Sequence, residues 1–157
     1  MKIYFLRHGI AVEPGDWKRS DYDRPLTSEG RDRMAQEARA FRKMGLKLDA
    51  ILTSPLVRAK ETAAIMASEL RMVSKEDERL GGDFDVSALE EILKGCADLK
   101  TLMVVGHEPS FSAVVGRLIG EGRLELKKGG VACVELPDPS TMTGELHFLI
   151  PPKVLLL

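Results

Sequence analysis

Three short apolar runs limit what this chain can fold into. Ile3-Tyr4-Phe5-Leu6, the 48–53 segment with Ile51 and Leu52, and Thr101-Leu102-Met103-Val104-Val105 are all too short for a buried helix and rich in β-favouring residues. Helical spacing follows between them. Met34, Ala38 and Phe41 recur on a stretch over 27–44 that Thr27 or Ser28 can cap and Gly45 ends. Ala59, Ala63, Ala64, Ile65 and Met66 give a packing face to a helix that starts at Ser54-Pro55, with the proline in its first turn, and reaches Leu70. Leu89, Ile92 and Leu93 mark a short helix over 86–93, and Pro109-Ser110 opens another through Ile119. The polar stretch 73–80 reads as a further strand.

Strands alternating with helices predict a three-layer α/β/α sandwich, with helices on both faces of a mainly parallel sheet. The stretches 131–136 and 145–150 follow glycines and read as a hairpin-like pair, which adds an antiparallel edge strand. A chain of 157 residues is long enough to bury a core and is read as one domain, 1–157.

Composition closes off several function classes. Net charge is −1 with no basic stripe, which speaks against a nucleic-acid partner. No apolar stretch approaches membrane-spanning length, and Arg7 interrupts the first apolar run before a signal peptide could form, so the default location is cytoplasmic. Cys96 and Cys133 have no CxxC spacing and no histidine partners, and read as reduced thiols rather than metal ligands. His147 alternates inside a terminal strand and is assigned no function. The loop 10–25 carries the only tryptophan, Trp17, as a hydrophobic plug or a rim contact for substrate. The apolar tail 151–157 packs on the body or on a neighbour.

The ends of the apolar runs carry the chemistry. Leu6-Arg7-His8-Gly9 closes the first, Ser54-Pro55-Leu56-Val57-Arg58-Ala59 follows the second, and Gly106-His107-Glu108-Pro109-Ser110 follows the third. Parallel strands present their carboxyl ends along one edge, where α/β proteins bind ligands. Arg7, His8, Arg58 and His107 therefore converge, and so much positive charge predicts an anion, most simply a phosphoryl group. Gly9 and Glu108 adjoin the same edge and are counted among the substrate contacts. A neutral His8 imidazole can attack phosphorus in line, and water then clears the phosphorylated His8. Arg7, Arg58 and His107 would stabilise the equatorial oxygens, with a bound dianion restoring the proton of His107. None of these junctions offers the paired carboxylates a magnesium site needs, and no GxxxxGK[ST] run is present, so neither metal nor cofactor is expected. Alone, His107 would read as a hydrogen-bonded structural residue and Arg58 as a solvated helix residue. Thr62 and Ser54 read as caps or supports.

With these residues in hand, the sequence resembles the histidine phosphatase superfamily, of phosphoglycerate-mutase-like fold. The pattern runs through Leu6-Arg7-His8-Gly9, Pro25-Leu26-Thr27 with Gly30, Ser54-Pro55-Leu56-Val57-Arg58-Ala59 with Thr62, and Val105-Gly106-His107. The resemblance implies that His8 accepts the phosphoryl group, that Arg7, Arg58 and His107 complete its pocket, and that no metal takes part. The compact length and Arg24-Pro25-Leu26-Thr27 are similar to bacterial phosphohistidine phosphatases of the SixA type. That implies an open site and a phosphorylated protein as substrate, such as a histidine-containing phosphotransfer domain in signal transduction. Ester-cleaving relatives carry an acidic proton donor in mid-chain, for which Asp83 and Asp85 are the candidates here. A small-molecule phosphomonoesterase and a non-catalytic phosphoprotein-binding module are the competing readings.

Overall fold

Side chains along a strand point alternately to opposite faces, and the apolar residues divide accordingly. In the computed structural model, which describes residues 1–157, six strands form one sheet. They are β1 (Lys2–Arg7), β2 (Ala50–Thr53), β3 (Ser74–Glu76), β4 (Thr101–Gly106), β5 (Val131–Glu135) and β6 (Glu145–Ile150), ordered β3-β2-β4-β1-β5-β6. Ile3, Phe5, Leu102, Val104, Ala132 and Val134 face one core. Leu6, Ile51, Met103, Val105 and Val131 face the other.

Helices cover both faces, as predicted. The second core is closed by Met34, Ala38 and Phe41 of α1 (Ser28–Lys43) and by Ala59, Ala63 and Met66 of α2 (Val57–Leu70). Leu89, Ile92 and Leu93 of α3 (Val86–Lys94) and Phe111, Val114, Val115 and Leu118 of α4 (Ser110–Leu118) close the first. The tail forms a short α5 (Pro152–Leu155), whose Leu155 packs beside the α1 core while Leu157 stays exposed. No helix is long and apolar enough to cross a membrane.

The sheet is parallel through β3, β2, β4 and β1. β5 pairs antiparallel with both β1 and β6, so the hairpin-like pair supplies the antiparallel edge. Most boundaries fall within a residue of the sequence reading, and three of the differences have a visible cause. Strand β2 starts at Ala50, because the Asp49 carboxylate instead accepts the amides of Lys100 and Thr101. Strand β3 stops at Glu76, because Asp77 accepts the Arg79 amide and caps a 3-10 turn, Glu78–Leu80. Pro55 lies ahead of α2 rather than in its first turn, since Leu56 is the cap residue and gives its N–H to Ser54 Oγ.

Thr27 caps α1 by accepting the Gly30 amide at 2.9 Å. Gly30 is where the helix meets the loop that follows His8. A Cβ there would stand 2.0 Å from the Ile10 carbonyl oxygen, so only a residue without a side chain lets the two backbones approach.

Candidate active site

Register brings the three junctions level. Arg7 pairs with Gly106 and Thr53 with Val105 across the central parallel strands. The next residues continue the match: the His8 amide bonds to the Gly106 carbonyl at 3.0 Å and the Ser54 amide to the Val105 carbonyl at 2.9 Å. The rings of His8 and His107 consequently lie 5.4 Å apart between centroids. Arg58 reaches the same edge from the first turn of α2.

The His8 ring is held by one nitrogen with the other left free. Its Nδ1 lies 2.7 Å from the Gly9 carbonyl oxygen. A carbonyl only accepts, so Nδ1 carries the hydrogen and Nε2 keeps its lone pair. Burial pushes the His8 pKa down to about 3, reinforced by the charges of His107, Arg58 and Arg7 against the support of the Gly9 carbonyl. Burial likewise takes His107 down to about 4, with Arg58, Arg24 and Arg7 adding to the effect and Asp21 opposing it. Both imidazoles are neutral at neutral pH.

Around His8 stand buried nitrogens with no protein partner. Arg7 gives one Nη1 hydrogen bond to the Leu126 carbonyl, 2.8 Å, while its Nε is buried with no protein partner. Arg58 Nε and His107 Nδ1 are buried and unpartnered as well. Buried polar atoms are almost always satisfied, so two guanidinium N–H groups and a ring nitrogen that donates once it carries a hydrogen, on three separate segments of one edge, form a set able to hold an anion. His107 is oriented by Ser54, whose Oγ lies 2.7 Å from Nε2. Thr62 ties the cradle together, accepting the Gly9 amide at 3.1 Å and donating to the Arg58 carbonyl at 2.8 Å.

Other predicted contacts are engaged elsewhere. Gly9 has both main-chain groups committed, to Thr62 and to His8. Glu108 turns its Oε1 to the Ser112 amide, 3.0 Å away, inside the first turn of α4, and acts on Arg7 only through its charge. Asp85 caps α3 by accepting the Ala88 amide at 2.8 Å. Asp83 is exposed in the turn whose Gly82 carbonyl meets Ser110 Oγ. Cys96 and Cys133 are free thiols, and no group of His, Cys, Asp and Glu side chains is arranged to hold a metal ion.

Three residues were not assigned any role from sequence. Asp21, in the 3-10 turn Asp21–Asp23, accepts from Arg58 with its carboxylate and its carbonyl. Arg24 binds the other carboxylate oxygen of Asp21. Glu37, on α1 and only 1% exposed, points its carboxyl at Gly129, where a Cβ would come within 2.7 Å of Oε1. Gly129, at φ +80°, holds the end of β1, its amide reaching the Arg7 and His8 carbonyls at 3.2 and 3.1 Å. Burial raises the Glu37 pKa to about 8, with Arg33 partly offsetting it.

The family profile for the histidine phosphatase superfamily (branch 1) matches residues 3–85, which contain Arg7, His8 and Arg58. The chain belongs to the histidine phosphatase superfamily. An uncharacterised protein of Picosynechococcus sp. is 35% identical over 167 aligned residues, covering 99% of both chains. An uncharacterised protein of Mycobacterium tuberculosis is 36% identical over 110 residues, covering 69% of this chain and 66% of its own. Among solved structures, the protein histidine phosphatase SixA complexed with tungstate superposes with a TM-score of 0.88 at 24% identity, covering 99% of each chain. The alpha-ribazole phosphatase of Shigella flexneri superposes at 0.76 with 17% identity over 97% of each chain. These likenesses establish the fold, and the activity that goes with superfamily membership is that of a phosphatase. In this histidine phosphatase His107 lies outside the matched segment, and β4 carries it to His8.

Proposed function

We propose that this protein removes phosphoryl groups from phosphohistidine on another protein, without a metal, through a phosphorylated His8. The observation that carries the reading is the set of buried, unpartnered nitrogens on Arg7, Arg58 and His107 around a neutral His8. In the first step His8 Nε2 attacks phosphorus and the substrate's P–N bond breaks, so the electron pair leaves with the substrate imidazole. In the second, water attacks phosphorus, the His8–P bond breaks, and inorganic phosphate departs. Arg7, Arg58 and His107 bear the charge on the oxygens in both steps.

Two features favour a protein-borne phosphoryl group. The β3–α3 connection is short, a 3-10 turn and the residues around Gly81-Gly82, so this segment adds no large cover to the edge. A nitrogen heterocycle also leaves with less acid assistance than an alkoxide, which suits a site where Asp85 serves as a helix cap. The fitting partner is a phosphotransfer domain of a cytoplasmic relay.

Phosphate release from a ³²P-phosphohistidine protein, in chelator, tests the proposal. Turnover should persist with EDTA and fall by about a thousandfold or more in His8→Ala. The likeness to alpha-ribazole phosphatase keeps a small-molecule phosphomonoesterase as the second reading. Faster turnover of sugar or aryl phosphates than of phosphohistidine, lost in Asp83→Asn, would favour it. Tight retention of the phosphoprotein without release would instead mark a binding module.

A further inference from the structure

Asp21 lies between two guanidiniums that have other work to do. Its Oδ2 accepts from Arg58 Nη2 at 3.1 Å, its carbonyl from Arg58 Nη1 at 2.9 Å, and its Oδ1 from Arg24 Nε at 3.0 Å. The two cations are sheltered, at 8% and 13% side-chain exposure, whereas the Asp21 side chain is 62% exposed. The carboxylate therefore enters from the solvent side to meet charges that belong to the body of the protein. It also lies within electrostatic reach of His107, favouring the protonated ring that Arg58 and Arg24 disfavour.

The turn that carries Asp21 is lightly anchored. None of the residues Asp21–Asp23 is buried, and Ser20 holds the turn only locally, by accepting the Tyr22 amide. Arg24, by contrast, is fixed independently, through Nη1 to the Val12 carbonyl at 2.7 Å. Removing the Asp21 carboxylate from its partners disturbs no core contact and leaves Arg24 in place.

Two anions on Arg58 repel each other and divide one guanidinium charge, even though its five N–H groups leave Nε and further hydrogens free. Bidentate pairing with a phosphoryl group uses two N–H groups on one edge of the guanidinium. With Asp21 on Nη1 and Nη2, Nε is the one nitrogen of Arg58 without a protein partner. An exposed carboxylate held by ion pairs is a weak competitor, because water screens it and its side chain is restrained at an entropic cost.

We infer that Asp21 is an internal anion, displaced from Arg58 by the phosphoryl group of the substrate, and that Arg24 then turns its freed Nε to the phosphoryl oxygens as a third guanidinium. The inference rests on the phosphate-binding reading of the cradle and adds to it an exchange of anions. On product release the order reverses: Asp21 reclaims Arg58 and lowers the affinity for inorganic phosphate, so that the product leaves.

Calorimetric titration with tungstate, an oxyanion of phosphate-like shape, tests this on the whole chain. Asp21→Asn should bind tungstate about three- to tenfold more tightly than the parent, since only the competing charge is removed. Asp23→Asn takes a charge from the same turn without touching Arg58 and should bind like the parent. The double variant Asp21→Asn/Arg24→Gln should lose the gain. Trp17 donates its indole N–H to the Ser20 carbonyl, so its emission should change as tungstate saturates the parent and change less in Asp21→Asn. Equal or weaker binding by Asp21→Asn overturns the inference alone and makes Asp21 a residue that holds Arg58 in place. A gain that survives Arg24→Gln removes Arg24 from the oxygens. Failure of parent and variant alike to bind tungstate removes the phosphate cradle itself, and the inference with it.

Discussion

Replacing Glu37 by glutamine removes a titrating group from beneath the end of β1 at almost no change of shape. In the folded chain burial lifts this carboxyl from its ordinary 4.5 to about 8, and Oε2 has no hydrogen-bond partner. Between those two values the native state holds a proton that the unfolded chain has released. Stability therefore falls as pH rises, by about 1.4 kcal/mol per unit, and the loss is complete above about pH 8. Carried across the whole window this is roughly 4–5 kcal/mol, and water reaching the strained carboxylate trims it to about 2–4 kcal/mol. Glutamine stays neutral throughout. Urea unfolding at pH 5.0 and 8.5 should show Glu37→Gln gaining that amount over the parent at the higher pH and little at the lower, with the m-value unchanged. His8 and His107 titrate with the opposite sign, because rings that stay neutral when folded lose stability as pH falls below 6.5, but they are present in both proteins and cancel in the difference. A stability difference that does not vary with pH would falsify the argument.

Two further outcomes follow from the geometry. Gly30→Ala puts a methyl 2.0 Å from the Ile10 carbonyl oxygen, a main-chain atom that cannot rotate away; thermal or urea unfolding should show a loss of about 2–3 kcal/mol, and kcat should fall as the loop beyond Gly9 shifts. The acidic limb of kcat/KM for an aryl phosphate, corrected for the substrate's own ionisation, should lie below pH 5, because His8 gains its inactivating proton only near 3. A limb at the ordinary imidazole value would refute the assignment of His8 as a buried neutral nucleophile.

The central strands and the residues at their ends were legible in the sequence because two of the three apolar runs stop at a candidate site residue. Ile3 to Leu6 ends at Arg7-His8, Thr101 to Val105 ends at Gly106-His107, and parallel pairing then does the rest. Asp21 and Arg24 were not legible, since the loop that holds them has no periodicity and their partner Arg58 lies in another element. Glu37 sits one position before Ala38 on the core-facing stripe of α1, yet a lone acid in a helix reads as solvated. It is buried because Gly129, far along the chain, has no side chain to keep it out. Asp85 was read as a candidate proton donor because ester-cleaving relatives carry an acid in mid-chain, whereas its carboxylate answers a simpler demand, the free amides of α3. Ser54 shows the same limit: its hydroxyl orients His107, a partner that only the pairing of β2 with β4 brings near.

The carbonyl of Gly9 decides more than the tilt of a ring. By taking the Nδ1 hydrogen of His8, it leaves a single nitrogen able to form a bond to phosphorus, the one remote from the main chain. On the proposed mechanism a covalent adduct made here is the tele isomer, never the pros. Regiochemistry that free histidine leaves mixed is thus dictated by one peptide oxygen.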